Sequence, residues 1–150
     1  MGEVIPFKVK TLNYELMKAS DEGALETAEI LIDKGASVNA SDRHLNTPLS
    51  LAARAGHGQI AKLLLNRGAD PNSLGCLGLT ALTWAAAMNH FSVAHLLLSR
   101  GADVNATNVR GNTALWWATL MGHSRMIALL VTNGAYKMGP PLVRGNEKFS

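Results

Sequence analysis

Three histidines recur thirty-three residues apart, His57, His90 and His123, and imidazoles in register are first of all candidate metal ligands or proton carriers. Equivalent points on stacked helical units lie about 8–10 Å apart, whereas the ligands of one zinc ion each sit about 2 Å from it. The three cannot share an ion, so each reads as a turn histidine bonding the loop between two helices. The single cysteine, Cys76, would need a base such as His44 within hydrogen-bond reach to act as a nucleophile, and nothing in the chain supplies an oxyanion hole or a third member. The segment GCLGLT, residues 75–80, has the glycines of a phosphate loop but neither its lysine nor a preceding strand. His95 reads as a solvated or partly buried side chain. Arg43, Arg54 and Arg110 could each meet a phosphate, but three scattered cations beside an acidic first segment fall short of a nucleic-acid footprint. No catalytic residue, metal ligand or cofactor site is expected, and the chain is not read as an enzyme.

The spacing that arranges those histidines governs the whole chain. Gly35, Gly68, Gly101 and Gly134 recur at the same interval, as do Asn39, Asn72 and Asn105, then Thr47, Thr80 and Thr113, then Leu49, Leu82 and Leu115. Thr47 can cap a helix with its hydroxyl while Pro48 occupies the first helical position, where a missing N–H costs nothing. A helix from Leu49 to Ala55 follows, and its small residues Ala52 and Ala53, like Ala85 and Ala86, let neighbouring helices approach closely. After Gly56-His57-Gly58, Ile60, Leu63 and Leu64 share one face at helical spacing, with Lys62 and Asn66 outside. Gly68 ends that second helix in a left-handed conformation. No such helix pair can bury its own apolar face, so the units must stabilise one another.

The stretches TPLSLAARAGHGQIAKLLLNRGADPN, TALTWAAAMNHFSVAHLLLSRGADVN and TALWWATLMGHSRMIALLVTNGA resemble the ankyrin repeat, and the likeness covers roughly residues 9 to 135. The resemblance implies an all-α repeat solenoid, a stack of helix-turn-helix units with β-hairpin fingers. Residues 1–150 form one domain, with repeats at 9–41, 42–74, 75–107 and 108–135, an N-terminal extension at 1–8 and a C-terminal tail at 136–150. It also implies that a partner protein binds in the concave groove between finger tips and first helices. The matching positions are Arg43, His44 and Asn46 with Arg54, then Cys76, Leu77 and Leu79 with Ala87 and Met88. Val109, Arg110 and Asn112 follow, with Trp116, Leu120 and Met121. Lys10, Thr11, Asn13, Asp21 and Glu22 extend the first end of the groove. Leu77, Leu79, Met88, Leu120 and Met121 make its middle and far end apolar, which a solvated groove would not favour.

The chain departs from the family in several places. The second finger has Leu45 where the others have Gly78 and Gly111, and a leucine strains at positive φ. That finger is therefore expected to be reshaped, or to hold Leu45 out for a partner. The histidine usual after Thr-Pro-Leu is replaced by Ser50, Thr83 and Trp116; the hydroxyls can stand in for its bond, whereas an indole only donates. Trp84 and Trp117 are expected in the core, with Trp116 divided between core and surface. The first repeat has Asn13-Tyr14-Glu15-Leu16 in place of the Thr-containing motif and reads as a cap, with Phe7 and Val9 alternating with lysines as an extended strand against the first finger. The last repeat would present Met126, Ile127 and Val131 as an apolar end unless the tail folds over them.

Bulk composition adds limits. At 150 residues and 47% apolar the chain suits one core-bearing domain, and one cysteine excludes an internal disulfide and a four-thiolate zinc site. Residues 9–41 carry three more acidic than basic side chains and residues 42–74 two more basic than acidic. No apolar run approaches the roughly 20 residues a membrane span needs, and the first ten residues lack the apolar block of a secretory signal. A cytoplasmic protein, monomeric on its own, is the expectation. Its function is expected to be binding another protein, as a regulator, scaffold, or inhibitor or immunity protein of an enzyme, with self-assembly or nucleic-acid binding as alternatives.

Overall fold

The three threonines start helices as anticipated. Thr47 Oγ1 accepts from the Ser50 N–H at 3.1 Å and Ser50 Oγ accepts from the Thr47 N–H at 2.9 Å, a closed capping box. Thr80 accepts from the Thr83 N–H and Thr113 from the Trp116 N–H, both at 3.2 Å. The computed structural model describes residues 6–136 and Gly139. Within them lie α1 (Phe7–Glu22), α2 (Leu25–Asp33), α3 (Pro48–Ala55), α4 (Gly58–Asn66), α5 (Ala81–Ala87), α6 (Phe91–Ser99), α7 (Ala114–Leu120) and α8 (Ser124–Thr132), with one 3₁₀ turn at Cys76–Gly78. Odd-numbered helices form one row and even-numbered helices a second. The odd row packs closely, because Ala52, Ala53, Ala85, Ala86 and Ala118 leave its surfaces thin and are themselves wholly buried. The even row makes looser contacts, so the stack bends with the odd helices on its inner side.

Three sets of bonds repeat with the sequence and tie each unit to its neighbour. The Asn39 side-chain amide donates to the Gly68 carbonyl at 3.1 Å and its oxygen accepts from the Asp70 N–H at 2.8 Å. Asn72 does the same to Gly101 and Asp103, and Asn105 to Gly134 and Tyr136. His57, His90 and His123 each place Nε2 on a carbonyl of the preceding repeat, those of Asp21 and Arg54 at 3.0 Å and of Ala87 at 3.1 Å. A carbonyl only accepts, so Nε2 carries the proton in each. Between the rows, Leu16, Leu49, Ile60, Leu64, Leu82, Leu97, Met126 and Leu130 form one continuous core.

Among the described residues the fingers contain no strand, so the β-hairpins that the family likeness implies are reduced to tight loops. Each loop closes with one backbone bond across its base, Asp42 N–H to Asn46 O at 3.1 Å, Gly75 N–H to Leu79 O at 2.9 Å and Asn108 N–H to Asn112 O at 3.0 Å. In the outer two, a side-chain oxygen braces the turn from within: Asp42 Oδ1 accepts from the N–H groups of His44 and Asn46, and Asn108 Oδ1 from those of Arg110 and Asn112. Leu45 keeps the glycine conformation without the glycine, at φ 62°, and stands 54% exposed.

Three expectations are overturned or bounded here. Phe7–Lys10 are helical, because Tyr14 cannot cap as threonine does and the helix runs back until Pro6 ends it. Lys10, Thr11 and Asn13 therefore lie on α1 and not on a finger tip, and Asn13 Oδ1 instead accepts from the Ser37 N–H at 2.7 Å. Met126 is completely buried within the core cluster and Ile127 half-buried, leaving Val131 alone of the three exposed. The tail's role as a lid falls outside the described residues, apart from Gly139, where an added Cβ would lie 3.1 Å from Trp116 Cδ1 and 3.0 Å from the Gly111 carbonyl oxygen.

Two outcomes follow from the fingers. Burial pushes the Asp42 carboxyl up, but the hydrogen bonds from the Asn46 side chain and from the Asn46 and His44 backbones, with the His44 charge, more than offset it and hold its pKa below the ordinary value. Its stabilisation is then complete above the unfolded value of about 3.9 and is lost as the pH falls through the lower, folded one. Asp42→Asn, which imitates Asn108, is expected to reduce the acid-side fall in melting temperature, and an unaltered acid limb would contradict this. Leu45→Gly relieves the left-handed strain and is expected to raise stability by about 1 kcal/mol in chemical denaturation; a lowered midpoint would show that the leucine side chain holds its finger in place.

Candidate functional site

The inner faces of α5 and α7 carry Trp84 and Ala87, and Trp117, and the C-caps Met88 and Met121 continue them at the four-residue spacing that aligns side chains on one helix face. With Thr83 below and Leu79 reaching in from the third finger, they line a concave pocket of about 150 Å³. Met88 and Met121 form its rim, 48% and 55% exposed, while both tryptophans are half-buried. Trp84 and Trp117, expected in the core, are therefore the pocket's floor. Their partial exposure arises because residues one place beyond the capping threonine's third neighbour face the groove and not the next repeat. Trp116 packs edge-on against Trp117, with ring centroids 5.0 Å apart and planes at 86°. The Trp117 Nε1–H is buried with no hydrogen-bond partner, which marks the indole as held by packing and not by polar contacts.

On the side of the second repeat, Arg54 lies against the Trp84 ring and lines the neighbouring depression. Its guanidinium lies 5.7 Å from the centre of the Trp84 ring and pairs with Asp21 at 3.0 Å. Both partners are more than a third exposed, so the pair positions the arginine more than it stabilises the fold. Beyond it the groove turns polar, with Tyr14, Lys18, Asp42 and Asn46 around a shallower depression. Along the tips, Arg43, His44, Cys76, Leu77, Val109 and Arg110 are exposed, and the Val109 N–H donates to the Leu77 carbonyl at 3.1 Å, joining the third and fourth fingers into one ridge. Leu77 sits at φ 58°, which turns its side chain outward at a cost in backbone strain.

The structure thus gathers Leu79, Met88 and Met121 in one pocket, places Arg54 at its edge and sets Arg43, His44, Cys76, Leu77, Val109 and Arg110 along the ridge above. Asn46 is half-buried and its amide donates to Asp42 Oδ2 at 3.0 Å. Asn112 is a correction: it is only 6% exposed, its Oδ1 is buried without a partner, and it offers a binder almost no surface. Trp116 is half-buried and turned towards Gly139, outside the pocket, and Leu120 is exposed beside the pocket without lining it. The signal for the tryptophans was present in the helix spacing, where Trp84 and Trp117 occupy the position held by Leu51 in the second repeat.

The turn histidines are all engaged on backbone carbonyls, and among the described residues no three histidine, cysteine, aspartate or glutamate side chains stand close enough to hold a metal ion. No described helix is long and apolar enough to cross a membrane.

Comparison with known proteins adds one match and one blank. No curated protein matches the chain. A family model described as ankyrin repeats (3 copies) matches residues 11–75 and 72–139. Its span runs from within α1 to beyond α8 and takes in the asparagine and histidine bonds that recur between repeats and the finger loops; the chain belongs to the ankyrin-repeat family.

Proposed function

We propose that this chain is a non-enzymatic module that binds one partner protein in the groove between its finger ridge and the inner faces of α3, α5 and α7. Repeats of this family generally act in protein–protein interaction. The observation that carries the reading for this chain is the apolar pocket over Trp84 and Trp117, open on the inner side and rimmed by Met88 and Met121. Tryptophan anchors and adaptable methionines are the residue types that concentrate binding energy at interfaces. The tips at Arg43, His44, Cys76, Leu77, Val109 and Arg110 rise beside it, a shape suited to a regulator or inhibitor that inserts its fingers into an enzyme's cleft. The chain serves as a monomeric binder that takes up its partner and not a nucleic acid, since its groove offers few cations and much apolar surface.

Leu79→Asp with Met88→Asp places two charges at the pocket without touching the inter-repeat bonds. Loss of two anchors costs on the order of 3 kcal/mol of binding, about a hundredfold in affinity. An affinity pull-down from source-cell lysate is expected to retain a protein on the native chain and not on the double variant, with circular dichroism showing both folded. Equal retention by both would move the site away from the groove.

A further inference from the structure

The exposed tips of the ridge carry arginines and no exposed carboxylate, and that asymmetry bears on what can bind beside them. Asp21 is already paired with Arg54, and the Asp42 carboxylate accepts three N–H groups within its own finger. Among the described residues the ion pairs are those of Arg54 and Arg67, so Arg43 and Arg110 stand on the ridge with no carboxylate partner. The other cations of the last two repeats are occupied elsewhere: Arg100 donates to Asn66 at 2.8 Å, and the Arg125 guanidinium lies 4.1 Å from the centre of the Phe91 ring. At the first-repeat end the groove carries both signs, with Lys18 and Asp21 in its lining. Arg43 on the second finger and Arg110 on the fourth therefore present positive charge without an ion-pair partner on either side of the third finger, while the Asp42 carboxylate is held by hydrogen bonds within its own finger.

Resting on the groove reading above, we infer that the partner contributes an extended acidic segment with one large apolar side chain, which fills the pocket over Trp84 and Trp117 while flanking carboxylates meet Arg110 and Arg43. Two repeats separate those arginines, roughly 16–20 Å at ordinary helix-stacking distances. An extended chain advances about 3.3 Å per residue, so five or six residues span the gap. The pocket is lined by residues of the third and fourth repeats, and Arg110 belongs to the fourth, so the apolar anchor is expected nearer the carboxylate that meets Arg110 than the one that meets Arg43. Arg54, at the pocket's edge with its cation over Trp84, favours the same sign between them. Charge of this kind raises association rate and selectivity more than affinity, and its effect fades with salt.

The probe is a phage-displayed library of random peptides roughly twelve residues long, twice the span required, selected on the full chain. Enriched peptides are then synthesised and measured by fluorescence anisotropy against the native protein, Met88→Asp and Arg110→Glu, each checked for native helicity. The expected result is peptides with one phenylalanine, tryptophan or leucine between aspartates and glutamates. Their affinity should fall at least about tenfold on Arg110→Glu and again between about 50 and 500 mM salt, and lysine-flanked versions should recover on Arg110→Glu. Peptides that lose binding on Met88→Asp but show no acidic bias and ignore Arg110→Glu would overturn the acidic partner and leave the groove reading standing. Peptides that ignore Met88→Asp would overturn both. A library that yields no binder, or an oligothymidine that binds as tightly as the best peptide, would also overturn the proposal.

Discussion

The structure depends on the fact that a pair of short helices cannot bury its own apolar face. Helices of seven to nine residues, as α2 to α8 are, are marginal in water by themselves, and each here is stabilised by the unit on either side. That makes the interface between repeats the true structural unit. Its apolar part is the leucine and alanine layer, where wholly buried alanines let the odd helices come close. Its polar part is the pair of bonds that each asparagine sends into the next repeat, and the one that each histidine returns to the preceding one. The last of these gives the histidines in register a structural part: their Nε2 atoms are donors to carbonyls of the preceding repeat.

The same constraint generates the groove. Alanine on the packing faces draws the odd helices together, the even helices spread, and the inner side becomes concave. Side chains one position around from the packing face have no neighbour to cover them there. In the second repeat that position is Leu51, buried, beside Arg54; in the third and fourth it is tryptophan, too large to be hidden by neighbours as small as Ala87. The pocket is thus a by-product of close stacking combined with a bulky residue, and the methionines at its rim complete it. A surface of this kind lowers the free energy when another apolar surface covers it.

The fingers show how far backbone chemistry can substitute. Where the loop begins with aspartate or asparagine, a side-chain oxygen holds two backbone N–H groups and the turn keeps its form even with Leu45 at the left-handed position. Where it begins with Gly75, that brace is missing, and the loop tightens into a 3₁₀ turn with Leu77 itself left-handed. Two of the three tips therefore carry exposed leucines at left-handed positions, Leu45 beside Arg43 and His44 and Leu77 bonded to Val109.

The sequence by itself determined the period, the helix starts at the three threonines, the histidine and asparagine register and the apolar middle of the groove, because each of these is local or repeats at a constant spacing. It misplaced residues whose state depends on a missing neighbour. Phe7–Lys10 joined a helix because no threonine stops it at Tyr14; Met126 was taken into the core; Asn112 was enclosed at the base of its finger. Trp84 and Trp117 are the clearest case. Their apolar character is legible in the chain, but whether an indole is core or pocket floor is set by the curvature of the stack and the size of the residues across the groove, and those exist only once the repeats are packed.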